Sequence, residues 1–283
     1  MHDPVAIALA EDIGAGDVTA ANFVPENQTG LARIVARQRA VVAGAETAAE
    51  VFARVDGRLA TTILLASGRT AQDGDAVLEV KGPVRSILTG ERVALNFLQR
   101  LSGVATLTKK YVDAIAGIPG AKARILDTRK TTPGLRALEK AAVKAGGGQN
   151  HRFGLFDMVM VKDNHLAARN DPAFLRDAIR SAKEGYPGIR VEVEADRLDQ
   201  VKAFLQIDGI DVILLDNMTP ETMREAVEMG AGKVLFEASG GITLESAARV
   251  AATGVDFISI GALTHSAPSV DFSLELQDAA PFT

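Results

Sequence analysis

The sequence predicts an α/β fold whose C-terminal part is a parallel (β/α) barrel. Three observations carry that prediction. Six short apolar runs, Arg124–Leu126, Met158–Val161, Val191–Val193, Val212–Leu215, Val234–Phe236 and Phe257–Ile260, alternate for the most part with helical segments. The runs are apolar almost throughout, as strands buried on both faces of a parallel sheet are. Each is followed by polar residues or glycine: Lys130 in the loop after the first, then Lys162, Glu194, Asp216, Glu237 with Ser239, and Gly261. In a barrel such strand ends converge on one mouth, whereas a doubly wound sheet spreads them along a crevice. Only six strands are legible, so the barrel is expected to be incomplete.

The elements follow in order. Val5–Ala10 is a short helical segment. Glu11–Thr19 holds two glycines and three acids, and reads as a turn in preference to a metal loop. Residues 30–90 read as strands with tight turns. Leu31–Val42, Thr61–Leu65 and Ala76–Val80 are the strands, Asp73-Gly74-Asp75 is a hairpin turn, and Gly82-Pro83 is a stop. Glu91–Leu101 reads as a helix because Val93, Ala94, Phe97, Leu98 and Leu101 fall on one face, with Arg92 and Asn96 off it. A second helix is expected over Val104–Ala116, broken by Gly117–Gly120. Further helices are expected from Leu135 to Val143, Pro172 to Lys183, Pro220 to Glu228 and Leu244 to Ala252.

Composition narrows the function classes. There is no cysteine, which excludes disulfides, thiolate metal sites and a cysteine nucleophile. No apolar run approaches the roughly 18 residues of a membrane span, and the opening Met1-His2-Asp3-Pro4 lacks the features of an export signal. A cytoplasmic protein with no membrane partner is expected. Between residues 122 and 162 stand nine Lys/Arg against three Asp/Glu, whereas the rest of the chain has 22 against 33, a net of −11. A basic centre in an acidic protein focuses small polyanions. The sequence pI of about 5.5 argues against a nucleic-acid partner.

The centre of that window is Asp127-Thr128-Arg129-Lys130-Thr131-Thr132-Pro133-Gly134. Pro133 and Gly134 place it on a strand-end loop, where binding groups concentrate. Two adjacent cations flanked by hydroxyls suit a small doubly charged anion, and Asn150-His151-Arg152 and Lys162 add to them. Ser239-Gly240-Gly241 and Gly261-Ala262-Leu263 are glycine loops near helix starts, where exposed N–H groups take a phosphate. The alternative is close helix–strand packing. Glu194 and Asp216 have three readings: structural balance for the cations, an acid/base pair, or ligands for ribose hydroxyls and a hard divalent cation. Lys162 also permits a Schiff-base aldolase, although an aldolase needs few cations.

Several segments resemble one family closely. They are TRKTTPGLRALEKAAVKAGGGQNHR (128–152), DMVMVKDNH (157–165), VEVEAD (191–196), DVILLDNM (211–218), EASGGITLESA (237–247) and GVDFISIGALTHS (254–266). EDIGAGDVT (11–19) and ERVALNFLQRLSGVAT (91–106) extend the likeness toward the N-terminus. The family is quinolinate phosphoribosyltransferase. Two features depart from its pattern: Gln149 replaces an apolar residue, and the connection at Ile118-Pro119-Gly120 is slightly long.

The resemblance implies an N-terminal α/β sandwich over residues 1–105, joined by the tail 266–283, and a barrel over 106–265. It implies a homodimer with shared active sites, or a higher oligomer, with Arg92 reaching across the interface. It places Arg129, Lys130, His151 and Arg152 around the two carboxylates of quinolinate, with Thr128 and Lys162 also in the pocket. It puts Glu194 and Asp216 near the ribose and a magnesium ion, held directly or through water. The two glycine loops would bind the phosphates of phosphoribosyl pyrophosphate. Lys130, Lys162, Glu194 and Asp216 are the expected catalytic residues. The product would be nicotinate mononucleotide, with pyrophosphate and carbon dioxide released, in NAD biosynthesis. A molybdenum-transport-associated paralogue acting on another small anion shares the fold and is the alternative within it. A non-catalytic anion-binding module is the alternative outside enzymes.

Overall fold

A computed structural model describes residues 3–162, 164–165 and 171–277. Met1 and His2, Asp163 in the 157–165 motif, and residues 278–283 of the expected tail lie outside the described residues. In chain order the elements begin α1 (Pro4–Ile13), α2 (Val18–Phe23), β1 (Thr29–Ala36), β2 (Ala40–Val41), α3 (Ala45–Val55), β3 (Ala60–Ile63), β4 (Thr70–Ala71), β5 (Ala76–Pro83) and α4 (Val84–Ile115). They continue with β6 (Arg124–Leu126), α5 (Arg136–Ala145), β7 (Val159–Val161), α6 (Pro172–Gly185), β8 (Val191–Ala195), α7 (Leu198–Phe204) and β9 (Val212–Asp216). The last are α8 (Pro220–Gly230), β10 (Leu235–Ser239), α9 (Leu244–Ala251), β11 (Phe257–Ser259), α10 (Ala262–His265) and β12 (Phe272–Gln277).

Two compact units result. One comprises Met1–Lys109, Thr131–Gly147 and Leu263–Thr283; the other comprises Lys110–Lys130 and Gly148–Ala262. Residues 131–147, which the sequence reading put with the barrel, pack in the first unit.

The first unit is built on an antiparallel sheet in the order β12-β1-β5-β3. Ile34 of β1 faces Leu78 of β5 on one side and Leu274 of β12 on the other. Ala32, Ile34 and Ala36 alternate along β1 and are fully buried, the period-2 signature of a sheet with one face in a core. Helix α3 packs on this sheet. It falls where the sequence reading expected only strands. Ala45, Ala48, Val51 and Phe52 recur at helical spacing and are fully buried, and burying Val51 and Phe52 contributes about 1.5–3 kcal/mol each. The turn at Asp73-Gly74-Asp75 does not close a hairpin, because β4 pairs with β2 and not with β5. Asp17 accepts hydrogen bonds from the N–H groups of Thr19 (3.0 Å) and Ala20 (2.8 Å), and so caps α2. The 11–19 turn is therefore shorter than expected, spanning only the residues between α1 and α2.

The two helices expected over 91–101 and 104–116 are one helix of 32 residues, α4. Gly103 does not break it. A Cβ there would lie 2.2 Å from the Pro268 carbonyl oxygen. The glycine is a point of close approach for the returning C-terminal segment, and its cost in helix propensity, about 1 kcal/mol, is outweighed by that packing.

The second unit is a six-stranded parallel sheet in the order β6-β11-β10-β9-β8-β7. The last strand pairs with the first, as in a barrel, while the consecutive strands β6 and β7 do not pair. That gap is what makes the barrel incomplete. Gln149 takes the free edge of β6, donating its N–H to Ile125 (2.8 Å) and accepting one from Asp127 (3.2 Å). The core holds Val191, Val193, Ile213, Leu215, Phe236, Ala238 and Ile258.

Candidate functional site

The C-terminal strand ends of the second unit carry a cluster of charged side chains. After β6, the Thr128 hydroxyl accepts the N–H of Lys130 (3.0 Å) and turns the chain, so Arg129 and Lys130 leave the strand together. After β7, the Lys162 ammonium pairs with Glu194 of β8 at 2.8 Å. Asp216 ends β9. Burial and the neighbouring Glu194 push its carboxyl above the ordinary carboxylate range, and a hydrogen bond from Asn217 together with Lys162 and Lys130 offsets part of this. Lys130, Lys162, Glu194 and Asp216 therefore form one electrostatic group.

The β10 end adds a tight loop. Gly240 and Gly241 have φ of +93° and +59°, conformations that favour glycine. At Gly240 a Cβ would stand 2.2 Å from the Asn217 side-chain oxygen. Asn217 itself has φ of +53°. Its N–H donates to the Ser239 carbonyl (2.9 Å) and its amide nitrogen to Asp216 (2.7 Å). Asn217 thus locks the β9 and β10 ends together. Gly261 and Ala262 follow β11, and Leu263 begins the last segment of the first unit.

Beneath the rim lies a buried trio. His151 Nε2 is 2.9 Å from Glu192 Oε2 and 3.5 Å from Glu237 Oε2. The two glutamates are 1% and 2% exposed. Burial pushes both carboxyls up to about 8; for Glu237 the Glu192 charge adds to this, while Arg152 and Lys162 oppose it at Glu192. Glu192 Oε1 and Glu237 Oε1 have no hydrogen-bond partner among the described residues. Arg152 stands close by. Burial and the Arg129 charge lower its pKa, and Glu192 and Asp157 partly restore it.

Glu192, Asn217 and Asp127 lie inside segments singled out from the sequence but receive no role there. Glu192 was detectable, since it shares a strand face with Glu194 two residues on. Of the nine cations in the basic window, Arg129, Lys130, Arg152 and Lys162 stand in the C-terminal loops of the parallel sheet. Lys122 pairs with Asp256 at the other end of the strands (2.6 Å). Arg136, Lys140 and Lys144 lie on α5 in the first unit, as Arg92 lies exposed on α4.

Among the described residues, two groups of ligating side chains come into question for a cation. His151, Glu192 and Glu237 present ligand atoms within 4.8 Å of one another. Yet His151 Nδ1 accepts the N–H of Arg152 at 2.8 Å, so the ring proton sits on Nε2 and no lone pair there faces the glutamates. The trio does not fit a metal in this arrangement. Glu194 and Asp216 do fit a hard divalent cation: they are oxygen donors whose mutual repulsion a cation would relieve.

The sequence matches the quinolinate phosphoribosyl transferase N-terminal domain over residues 17–102 and the C-terminal domain over 104–275. It is 42% identical to the nicotinate-nucleotide pyrophosphorylase (carboxylating) of Mycobacterium leprae, over 97% of this chain and 96% of that one. The structure of the nicotinate-nucleotide pyrophosphorylase from Francisella tularensis superposes with a TM-score of 0.89 at 40% identity, covering 97% of this chain and 95% of the other. The corresponding Ehrlichia chaffeensis structure gives 0.88 at 34% identity and 97% coverage of both chains. The chain belongs to the quinolinate phosphoribosyltransferase family.

Proposed function

We propose that the protein transfers the phosphoribosyl group of phosphoribosyl pyrophosphate to quinolinate, with decarboxylation, giving nicotinate mononucleotide, pyrophosphate and carbon dioxide for NAD biosynthesis. The observation that carries this is the pairing of two opposite environments at the strand ends. Arg129 stands close enough to Arg152 for its charge to add to burial in lowering the Arg152 pKa, and the two guanidiniums form a dianion site. Lys162, Glu194 and Asp216 form a mixed site suited to a sugar phosphate.

Arg129, Arg152 and Lys130 orient the two carboxylates, with guanidinium forks matching planar acids. Thr128 and His151 complete this wall. Glu194 and Asp216 face the ribose, where their negative charge favours an oxocarbenium-like transition state. Ser239-Gly240-Gly241 and Gly261-Ala262-Leu263 offer backbone N–H groups to phosphate oxygens. Magnesium held by Glu194 and Asp216, directly or through water, would neutralise the leaving pyrophosphate. Lys130 and Lys162 are the candidates to protonate the carbon that loses its carboxylate. The Lys162 ammonium is engaged by Glu194, which disfavours the aldolase reading. Arg92 serves a partner's site in a homodimer of a cytoplasmic protein, on this reading. Among the described residues no helix is long and apolar enough to cross a membrane.

The test is incubation with quinolinate, phosphoribosyl pyrophosphate and magnesium, followed by mass detection of nicotinate mononucleotide. Product from quinolinate and none from nicotinate supports the reading. Quinolinate binding without turnover would favour the binding module, and no binding at all would favour the paralogue.

A further inference from the structure

The trio of His151, Glu192 and Glu237 is placed on three different segments of the second unit, and it leaves His151 without a free ring nitrogen. The Arg152 N–H occupies Nδ1 at 2.8 Å, and Glu192 Oε2 faces Nε2 at 2.9 Å with Glu237 Oε2 at 3.5 Å. The His151 backbone N–H donates to the buried Asp127 carboxylate at 2.9 Å. A backbone N–H can only donate, so Nδ1 is bare and Nε2 carries the proton. Both nitrogens are directed at protein groups, so in this arrangement neither serves a carboxylate ligand.

The segment carrying His151 is the one that lies in the gap between β6 and β7, where, among the described residues, Gln149 makes the backbone pairing to β6. Side chains must hold what a missing strand ladder does not. Asp127 grips it from the end of β6, Glu192 from β8 and Glu237 from β10. We propose that Glu192, backed by Glu237, is a positioning residue: it fixes the His151 ring in the Nε2–H form, and the ring in turn fixes the backbone of Arg152, so that the Arg152 guanidinium is held ready for a substrate carboxylate. His151 is then a bracket inside the wall of the dianion site and not a donor to the ligand. This rests on the reading of Arg152 as a quinolinate-binding residue.

The chain has four histidines, few enough for long-range proton–nitrogen NMR of the imidazoles, with the His151 signal assigned by its loss in His151→Asn. In the substrate-free protein at neutral pH the signal is expected to show Nε2–H with bare Nδ1, unchanged by added magnesium or zinc. Glu192→Gln keeps an acceptor oxygen, and should keep the tautomer and a quinolinate KM within about threefold of the parent. Glu192→Leu should lose the single tautomer and raise the quinolinate KM about tenfold or more, the loss of one hydrogen bond to a well-placed group, with little change in the KM for phosphoribosyl pyrophosphate. An imidazolium or an Nδ1–H form in the parent protein overturns the proposal. So does a metal-induced shift of the His151 signal, or a folded Glu192→Leu protein with unchanged quinolinate KM. The NMR readout needs no turnover and no variant at Glu192. It therefore decides the tautomer even if the transferase reading fails or Glu192→Leu does not fold.

Discussion

Two buried glutamates, one in each unit, meet opposite fates. Glu139 in the first unit is fully buried, and its partners are complete. One oxygen accepts from Arg100 Nη2 (2.7 Å), Arg100 Nε (3.1 Å) and the Thr132 hydroxyl (2.7 Å), and the other accepts the Thr132 N–H (3.0 Å). Arg100 also donates to the carbonyls of Thr264 and Ala267. Arg100 thus ties α4 and α5 to α10 and the segment that follows it. Glu192 in the second unit is as deeply buried, but has a histidine instead of an arginine and an oxygen without a hydrogen-bond partner among the described residues. Burial raises its pKa to about 8. A closed network of this kind stabilises a structure. An under-satisfied one is kept at a cost, and such groups collect at functional sites. The difference separates a structural charge from a working one, though both read as glutamate within an apolar segment.

The contrast can be broken in four ways. The largest effect is expected at the closed network. Glu139→Leu leaves Arg100 without its carboxylate and should cost about 3 kcal/mol of unfolding free energy in urea. A loss under about 1 kcal/mol would place Glu139 with ordinary surface pairs. Next comes the dianion site: Arg152→Ala should lower kcat/KM for quinolinate about a hundredfold, as truncation of a charged hydrogen-bonding group does, with the circular dichroism unchanged. Full activity in that variant would refute the pocket assignment.

Gly240→Ala should raise the KM for phosphoribosyl pyrophosphate about tenfold, because its Cβ collides with Asn217 and φ of +93° strains alanine. Unchanged kinetics would show that the loop can move. The smallest effect is on pH dependence. The folded pKa of Glu237, raised to about 8, lies above its ordinary value near 4.5, so the folded state binds the extra proton. Its contribution to stability is complete below about pH 4.5 and is lost as the pH rises to about 8. Glu237→Gln should therefore flatten the fall in stability between pH 5 and 8 relative to the parent, measured by urea titration at each pH. An unaltered slope would show that Glu237 titrates normally.

Much of the second unit was legible because its strands are apolar on both faces and its chemistry stands at their ends. Lys162 and Asp216 fall where the apolar runs Met158–Val161 and Val212–Leu215 stop, Glu194 follows Val193 near the end of β8, and each is found in the strand-end group. The first unit was harder. In α3 alanine dominates, and Ala45-Glu46-Thr47-Ala48 carries little hydrophobic contrast, so its period is weak until Val51 and Phe52. In α4 the stretch around Gly103 carries no local sign that one helix runs through it, because the close approach of Pro268 that calls for a glycine belongs to a segment more than a hundred residues away. Arg100 and Glu139 were unreadable as a pair for the same reason. The basic window overcounted the site, since position along the chain does not say which end of a strand a lysine occupies, and Lys122 and Lys162 lie at opposite ends.

The sequence by itself determined the parallel sheet, the positions of the strand ends and the family, because hydrophobic period and local motif are properties of adjacent residues. The tertiary structure alone decided which buried charges are matched. It put arginine beside Glu139 and histidine beside Glu192, left the barrel open between β6 and β7, and directed both nitrogens of His151 into the protein. Those outcomes depend on distances between residues far apart in the chain, and on burial, which sets the cost of every polar atom left without a partner.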